Sequence, residues 1–327
     1  MKDIAKKVGV SQSTVSRVIN GSASVDNEIK MKVMECVRMF DYHPNVMAQS
    51  LVGSKSLLIG VLITDISNPF FSDIIKAIEA EASKYGYSII LCNTDWNSEK
   101  EKKYISILKS YKVDGILIVP SNIKDKHFMS LKNSEIPIVV ITQEVPEFSC
   151  ISISHLMAGK EVAKHLINMG YSSFVFIGNK EDVKAKGFKE QIKNSGYDIN
   201  TNLFFSYDEQ NDSPNDNLNE FIINNSNSEG IGIFAYNDLV ALKVLHLLKG
   251  MKVKVPEHVA LVGFDNTFIS KEISPTLSSV AQPNEEIGRQ AIQILVDKMC
   301  KKDIEEKHII LEPRLVVRES SLKSIRY

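Results

Sequence analysis

Four polar side chains near the start of the chain have the chemistry needed to recognise DNA bases. Gln12, Ser13, Ser16 and Arg17 lie on the outward face of a predicted short helix whose other face is apolar. A glutamine amide can pair with N6 and N7 of adenine, and an arginine guanidinium can pair with O6 and N7 of guanine. The pattern therefore predicts contacts with DNA. A small helical bundle with a solvated polar face is the alternative.

A second group of polar side chains follows predicted buried strands in the rest of the chain. Ligands of open α/β sheets bind at the carboxyl ends of strands, so these residues are candidates for one site. Phenylalanine rings can stack on the apolar face of a sugar, and carboxylates and amides can share its hydroxyls. Each polar residue could instead be an ordinary turn former or helix cap. The candidates are Asp65, Asn68, Phe70, Phe71, Thr142, Gln143, Asn237, Asp238, Asp265 and Asn266.

Three short helices would position the first group. Ile4, Ala5 and Val8 share one face of a first helix, and Gly9, which tolerates a positive φ, can end it. Ser11 can cap a second helix. Two helices around such a turn, braced by a third, form a helix-turn-helix, whose second helix enters the major groove. The third helix is predicted over about 26–40, with inward-facing Ile29, Val33, Cys36, Val37 and Phe40.

Continuous apolar runs alternate with helical patterns from residue 57 onward. Val/Ile/Leu strands separated by helices are typical of parallel sheets that are covered on both faces. The pattern occurs twice and so predicts two α/β units, while 206–216 is predicted to be a surface loop. The predicted strands are 57–64, 88–92, 115–119, 136–142, 150–153, 174–178, 231–236 and 259–264. The predicted helices are 70–85, 98–110, 125–133, 155–169, 184–194 and 238–249.

The charge is unevenly distributed along the chain. The net charge of the 327 residues is −1, but 1–56 carry +3 and the remainder carries −4. A basic head on an acidic body is expected of a nucleic-acid reader joined to another module. No apolar run reaches the ~18 residues of a membrane helix, and no signal peptide is recognisable, so we expect a cytoplasmic protein without membrane contact.

Catalytic and metal-binding motifs are missing from the sequence. It contains no GxGxxG, GxxxxGK[ST], HExxH or GxSxG motif, and its histidines are scattered. The four cysteines lie far apart and are predicted to be free thiols. We therefore predict no catalytic residue, no metal and no cofactor. Two functions based on binding remain: a regulator, and a sugar-binding protein without a regulatory role.

Two stretches near the N-terminus carry a resemblance to a known family. They contain IA, GVS and TVSRVIN within 4–20, and FDYHPN and AQSL within 40–51. This part of the chain resembles the DNA-binding head of the lac/galactose repressor family. The resemblance implies that Gln12, Ser13 and Arg17 read bases. It implies that phosphate contacts or helix capping come from Ser11, Thr14 and Ser16.

The resemblance also implies a short hinge after the head. In the family, two such hinge helices pair across a dimer and sit in the minor groove, where a leucine wedges between base pairs. Leu51 occupies the matching position. Eight residues are too few for a stable isolated helix, so this segment is expected to fold only on a template. The remaining implied DNA contacts are Asn20, Tyr42, Asn45 and Ala48.

Further motifs resemble the regulatory core of the same family. They are ISNPFF, CNTD, VDGILI, AYND, VGFDNT and VAQPNEEIG, between residues 66 and 288. The implied fold is α/β, with a helix-turn-helix head, a hinge helix and a two-lobed periplasmic-binding-protein-like core containing two parallel sheets. The predicted domains are the head at 1–44, the hinge and linker at 45–56, and the core at 57–327. The N-lobe would cover about 57–153 and 284–312, and the C-lobe about 154–283 and 313–327.

Matched positions in sugar-responsive members imply which residues contact the effector. Two of these positions depart from the family pattern, because Thr142 replaces a frequent aspartate and Lys184 a frequent arginine. These changes remove an acceptor and retain a cation, with Lys180 and Lys186 nearby, so one hypothesis is an effector with a carboxylate or phosphate. The implied effector contacts are Phe70, Phe71, Thr142, Lys184, Asn237 and Asp265.

The predicted function is sequence-specific transcriptional regulation, with repression favoured. A homodimer would bind a pseudopalindromic DNA operator, and a sugar or sugar derivative in the cleft between the lobes would control it. The tail after Arg318 has no leucine heptad, so a dimer is favoured over a tetramer. Control by a phosphorylated carrier protein is an alternative, although the matched position of the arginine used for it is Gln293.

Overall fold

The chain divides into two compact units, Met1–Leu57 and Leu58–Tyr327, in the computed structural model. The structure describes residues 1–19, 25–42, 55–197, 204–205, 216–225, 230–300 and 305–323. Within these ranges no helix is both long enough and apolar enough to cross a bilayer.

The first unit contains three helices around a small apolar core. Gly9 adopts a φ of 75° and ends the first helix, and Ser11 Oγ accepts from the backbone N–H of Thr14 at 3.1 Å at the start of the second. The helices are α1 Lys2–Val8, α2 Gln12–Ile19 and α3 Asn27–Met39. The buried core consists of Ile4, Ala5, Val15, Val18, Val33 and Cys36.

One predicted core residue of the head lies on its surface. Phe40 is 46% exposed, so its inward placement is wrong. It is the C-cap of α3, and its ring lies beneath the ammonium of Lys7, 5.1 Å from the ring centroid. The helix has ended before this side chain could complete the apolar stripe.

The second unit contains two sheets, and the first forms the N-lobe. All its strands are parallel, in the order β11-β5-β4-β3-β1-β2. They are β1 Leu58–Ile63, β2 Ser88–Asn93, β3 Gly115–Ile118, β4 Ile138–Ile141, β5 Ser149–Ile153 and β11 His308–Leu311. The helices are α4 Pro69–Lys84, α5 Ser98–Ser110, α6 Lys126–Ser130 and α12 Asn284–Cys300, with a 3₁₀ turn at Leu131–Asn133.

The second sheet forms the C-lobe, in the order β12-β10-β9-β8-β6-β7. Its strands are parallel except β12, which pairs antiparallel with β10. They are β6 Ser173–Ile177, β7 Phe204–Phe205, β8 Ile231–Ala235, β9 Val259–Asp265, β10 Ser278–Ala281 and β12 Arg314–Val316. The helices are α7 His155–Asn168, α8 Val183–Asn194, α9 Asp216–Asn225, α10 Asp238–Gly250 and α11 Ile269–Glu272.

The chain passes between the lobes at three points in the described ranges. It leaves the N-lobe after β5, returns after β10, and leaves again between β11 and β12. Because β10 runs out of the C-lobe where β12 runs in, these two strands must be antiparallel. The carboxyl ends of strands from both sheets therefore face one cleft. The predicted α/β fold with its helix-turn-helix head and two-sheet core is confirmed, with β12 as an antiparallel edge, while the predicted hinge helix lies outside the described residues.

The closest helix contact of the C-lobe lies between α7 and α8. A β-carbon on Gly159 would lie 2.1 Å from the carbonyl oxygen of Lys184, and one on Gly187 would lie 2.0 Å from that of Leu156. Both obstacles are backbone atoms, which cannot turn away as a side chain could. Glycine at these two positions therefore sets the distance between the helices.

We expect Gly159→Ala to destabilise the core by about 1–3 kcal/mol, because overpacking of this kind forces backbone shifts. Thermal unfolding should show a melting temperature several degrees lower. The matched control is Gly250→Ala in α10, where an added β-carbon meets nothing within 4 Å. That change should leave stability equal or slightly raised, since alanine is the better helix former. Equal stability of both variants would contradict the close packing.

Candidate functional site

A cavity of about 100 Å³ lies in the cleft, where the strands of the two sheets end. All six residues predicted to contact an effector line it: Phe70, Phe71, Thr142, Lys184, Asn237 and Asp265. Asp65, Asn68 and Gln143, which were also candidates from the sequence, line it too. The sequence prediction missed Trp96, Val119, His155, Tyr236, Phe264 and Gln282. The cavity combines aromatic faces with a few converging polar groups, which is typical of small-molecule sites.

Asp265 links the two lobes across this cavity. Its Oδ1 accepts from Nε2 of Gln282 at 2.7 Å, and its Oδ2 accepts from Nδ2 of Asn68, on the N-lobe, at 3.5 Å. Burial raises the pKa of the Asp265 carboxyl, while the nearby Lys184 ammonium and the two amides oppose that rise. Its φ of 93° is rare for any residue except glycine, and such strain is common at binding sites.

Lys184 supplies a buried positive charge on the C-lobe side. Its Nζ donates to the carbonyl oxygen of Tyr236 at 3.0 Å and lies 3.9 Å from Oδ2 of Asp182. It also lies 3.8 Å from the ring centroid of Tyr236 and 4.2 Å from that of Phe264. The protein itself therefore surrounds this ammonium with electron-rich groups.

His155 begins α7 directly after the first crossing and faces the same cavity. Its Nε2 is buried and has no hydrogen-bond partner within the described structure. Burial, followed by the charge of Lys184, lowers the pKa of the imidazole to about 4, so the ring is neutral at pH 7. A neutral ring nitrogen at this position can bond a ligand hydroxyl. A lone histidine belongs to no sequence motif, which explains why the prediction omitted it.

The other predicted contacts have structural bonds of their own. The rings of Phe70 and Phe71 meet edge to face, with centroids 5.2 Å apart. Asn237 caps α10, since its Oδ1 accepts from the backbone N–H of Val240 at 2.9 Å. Thr142 has a φ of 66°, which is strained for a β-branched residue. Asn237 is therefore a helix cap, which was the alternative role considered from the sequence, and it also lines the cavity.

Two of the candidate residues lie behind the cavity rather than in it. Asp238 is buried in the C-lobe, where its carboxylate accepts from Ser279 Oγ at 2.6 Å and from the N–H of Thr267 at 2.7 Å. Asn266 Oδ1 accepts from Arg318 Nη2 at 2.6 Å. These bonds fix the loop that carries Asp265, so both residues position the site without lining it.

Asp238 should make the stability of the core depend on pH. Burial, and then the negative charge of Asp265, raise the pKa of its carboxyl from 3.8 to about 7. Between these values the folded chain binds the extra proton, so this stabilisation is complete below pH 3.8 and is lost as pH rises through about 7. Between about pH 5 and about pH 8, we expect the melting temperature of Asp238→Asn to fall less than that of the unmodified chain.

Comparing the unmodified chain with Asp238→Asn isolates the contribution of the Asp238 carboxyl to the pH dependence of stability. His155, whose pKa is lowered, acts in the opposite sense below its ordinary pKa of 6.5, but it is present in both proteins. The variant also loses an acceptor and should melt lower overall, so the pH slope is the informative quantity. Identical slopes would show that Asp238 is ionised throughout this range.

The head presents three of its predicted base-reading side chains to solvent. Gln12, Ser13 and Arg17 are exposed on α2, and Thr14 and Ser16 are half-buried. Ser11 caps this helix. Tyr42 packs against the head core, with its backbone N–H donating to Val37 at 2.9 Å. Asn20, Asn45, Ala48 and Leu51 lie outside the described residues.

Two family models match separate parts of the chain. Residues 1–45 match the model of bacterial regulatory proteins of the lacI family, and 163–321 match a periplasmic binding protein-like domain. The HTH-type transcriptional regulator DegA of Bacillus subtilis (strain 168) is 33% identical over 330 residues, covering 98% of this chain and 97% of its own. Catabolite control protein A of Priestia megaterium is 31% identical over 330 residues, covering 98% of each.

Solved structures agree with these sequence matches. A complex of the transcriptional regulator CelR with cellobiose has a TM-score of 0.72 at 26% identity, covering 97% of this chain and 98% of that one. The lac repressor dimer bound to operator and the anti-inducer ONPF has a TM-score of 0.85, covering 98% of each chain. Its identity of 22% bears on the fold alone.

The fold combines a helix-turn-helix head, which is typical of DNA-binding proteins, with a two-lobed core that encloses a cavity. The family is shown by relatives more than 30% identical to this chain over 98% of its length. The chain belongs to the lacI family of bacterial regulatory proteins, and it is a transcriptional regulator rather than an enzyme. The predicted family and regulatory function are therefore confirmed.

Proposed function

We propose that this chain is a cytoplasmic homodimeric repressor that binds a pseudopalindromic operator through the exposed face of α2. Gln12, Ser13 and Arg17 would read base edges, while Ser11, Thr14 and Ser16 would fix the helix on the phosphates. Asn20, Tyr42, Asn45 and Ala48 complete the proposed DNA contacts, with Leu51 as the minor-groove wedge. The basic charge of the head supports this role.

We further propose a sugar or sugar derivative as the effector that controls operator binding. The observation that carries this proposal is the convergence of Phe70, Phe71 and Asp265, from two lobes, on one cavity. Aromatic rings suit the apolar face of a sugar, and carboxylate and amide groups suit its hydroxyls. The complex of CelR with cellobiose is a precedent at 26% identity.

The small volume of the cavity supports coupling between effector binding and the arrangement of the two lobes. Its volume of about 100 Å³ is smaller than the ≈ 300 Å³ of small ligand pockets. A sugar would therefore have to separate the lobes, which breaks the contact between Asn68 and Asp265. Lobe movement at the three crossings would alter the spacing of paired hinges and shift the DNA-competent population.

A groove between α4 and α12 is the place to look for control by a phosphorylated carrier protein. Gln293, at the position of the arginine that such relatives use, is uncharged and accepts from the hydroxyl of Tyr85 at 2.8 Å. The nearby Arg289 is paired with Glu286 at 2.6 Å. The groove is lined by both acidic and basic side chains, which are Asp73, Glu81, Glu285, Glu286, Lys76, Lys84 and Arg289. Because Gln293 replaces the arginine that binds the carrier protein and Arg289 is already paired with a carboxylate, the sugar-controlled function is favoured.

The test has two stages. Selection from random duplex DNA should enrich a symmetric site with two half-sites, and sedimentation should show a dimer on it. A thermal-shift screen against sugars, uronates and phosphosugars should then find a stabilising compound that also changes operator affinity. Enrichment of no symmetric sequence would refute the repressor, and stabilisation without any change in operator affinity would refute effector control.

A further inference from the structure

The single tryptophan of the chain, Trp96, lies where three cavities meet. It lines the small cavity described above and two larger neighbouring cavities of about 330 and 550 Å³. Tyr236, from the opposite lobe, lines all three. We call the two larger spaces the outer cavities. Trp96 is 41% exposed, so much of its ring is available to a molecule that occupies them.

The backbone holds Trp96 in an unfavourable conformation. Asp95 and Trp96 have successive φ values of 52° and 55°, in the left-handed region that bulky side chains avoid. Strain of this kind persists only where neighbouring groups enforce it, and it is concentrated at functional sites. Here Asn93 donates from Nδ2 to Asp95 Oδ1 at 2.5 Å, and the Lys100 ammonium pairs with the same carboxylate. The turn therefore fixes the backbone position from which Trp96 lines the cavities.

The walls of the outer cavities supply acceptors for hydroxyl groups. Asn179, Glu181 and Asp182 come from the C-lobe loop after β6, and Asn122 and Glu144 come from the N-lobe. An aromatic face surrounded by carboxylates and amides suits a sugar ring, which is apolar on its faces and polar at its edge. The outer cavities thus have the chemistry of the inner one, on a larger scale.

The charge of these walls argues against an acidic ligand. Glu144, Glu181 and Asp182 are acidic, and a partly enclosed site lined by carboxylates repels a ligand of the same charge. The positive group among them is Lys184, whose ammonium is already bonded to Tyr236 and lies 3.9 Å from Asp182. The hypothesis of a carboxylate or phosphate on the effector is therefore not favoured.

We propose that Trp96 and Tyr236 form an outer subsite that binds the second ring of a neutral disaccharide or glycoside. The first ring would occupy the inner cavity at Asp265 as the lobes separate. Trp96 would thus determine whether the regulator responds to linked sugars or to single ones. This inference rests on the proposed function, because it takes the cleft as the effector site.

The fluorescence of Trp96 provides a direct test, since no other tryptophan contributes. The full chain would be titrated with cellobiose, maltose, lactose and sucrose, with glucose, galactose and fructose, and with glucose 6-phosphate and glucuronate. We expect at least one disaccharide to change the emission and to bind about tenfold tighter than its component monosaccharides. The two acidic sugars should leave the emission unchanged.

Calorimetric titration of Trp96 variants tests whether the higher affinity for disaccharides comes from the Trp96 ring. Trp96→Ala should reduce disaccharide affinity about tenfold more than it reduces monosaccharide affinity, because the ring lines the inner cavity as well as the outer ones. Trp96→Phe should retain most of the affinity because the aromatic face remains. Trp96→Gly, which tolerates the positive φ, should behave like the alanine variant and so exclude backbone strain as the cause.

Three results would overturn the subsite: monosaccharides that bind as tightly as disaccharides, tighter binding of the acidic sugars, or binding of none of these compounds. Unchanged disaccharide affinity in Trp96→Ala would also overturn it. Binding to the selected operator, measured in parallel, separates the two proposals. Loss of operator selection in the unmodified chain refutes the proposed function, whereas intact operator binding without a disaccharide preference refutes the subsite alone.

Discussion

Asp265→Asn should shift the response to much higher effector concentrations while leaving operator binding intact. The asparagine keeps an acceptor for Gln282 Nε2, so the local hydrogen bond at 2.7 Å survives. At Oδ2 it places an amide donor opposite the amide of Asn68, where the carboxylate had accepted. It also replaces an acceptor for sugar hydroxyls with a donor. Hydrogen bonds to charged groups contribute about 1.5–3 kcal/mol, so effector affinity should fall roughly 10- to 150-fold.

Stability gives this prediction an internal control. Burial raises the pKa of the Asp265 carboxyl, so its surroundings disfavour the charged form, and this offsets the lost bond to Asn68; asparagine should leave the melting temperature nearly unchanged. Asp125→Asn is the matched control, because that carboxylate caps α6 and does not line the cleft cavity. Calorimetric titration and operator-release assays measure the effect. An undiminished response would remove Asp265 from the effector site.

Arg17→Ala should reduce affinity for the selected operator about 5- to 150-fold. Arg17 is exposed on α2, and a bidentate contact with guanine contributes about 1–3 kcal/mol of discrimination. The loss should be confined to the operator and relax the preference at one base pair. Affinity for unrelated DNA, and its dependence on salt, should change little.

Lys32→Ala is the matched control for the loss of one positive charge. Lys32 lies on α3, where its ammonium pairs with Glu28 at 2.7 Å. Its removal should lower the affinity for every DNA sequence slightly and by the same factor. Competition binding against operators with single substitutions distinguishes the cases. If Arg17→Ala lowered affinity for every sequence by the same factor, Arg17 would be a phosphate contact.

These two predictions concern separate parts of one regulator. The effector residues lie at strand ends of the core, whereas the base-reading residues lie on a helix of the head. A variant that loses one activity should therefore keep the other, and a double variant should show the sum of both defects. The link between them would act through lobe movement, not through shared side chains.

Most of the core elements could be predicted from periodicity alone. Long apolar runs such as LIGVLI in β1 are buried on both faces, and such runs leave a clear signal. The missed strands are short or alternate in exposure. In β11 every second residue is exposed, and β12 has three residues, so their pairing depends on partner strands far away in the sequence.

The sequence by itself determined the helix-turn-helix and the two α/β units, because these depend on local period. Its motifs carried the resemblance to the family, and that resemblance implied the six effector candidates. Only the tertiary structure decided which candidates share the cavity. Asp238 and Asp265 both lie at strand ends, yet the first is enclosed by Ser279 and Thr267 and the second links the lobes. His155 and Trp96 carry no motif, and their placement depends on how the two lobes meet. Contacts across a cleft join residues that are distant in the chain, and no local pattern records them.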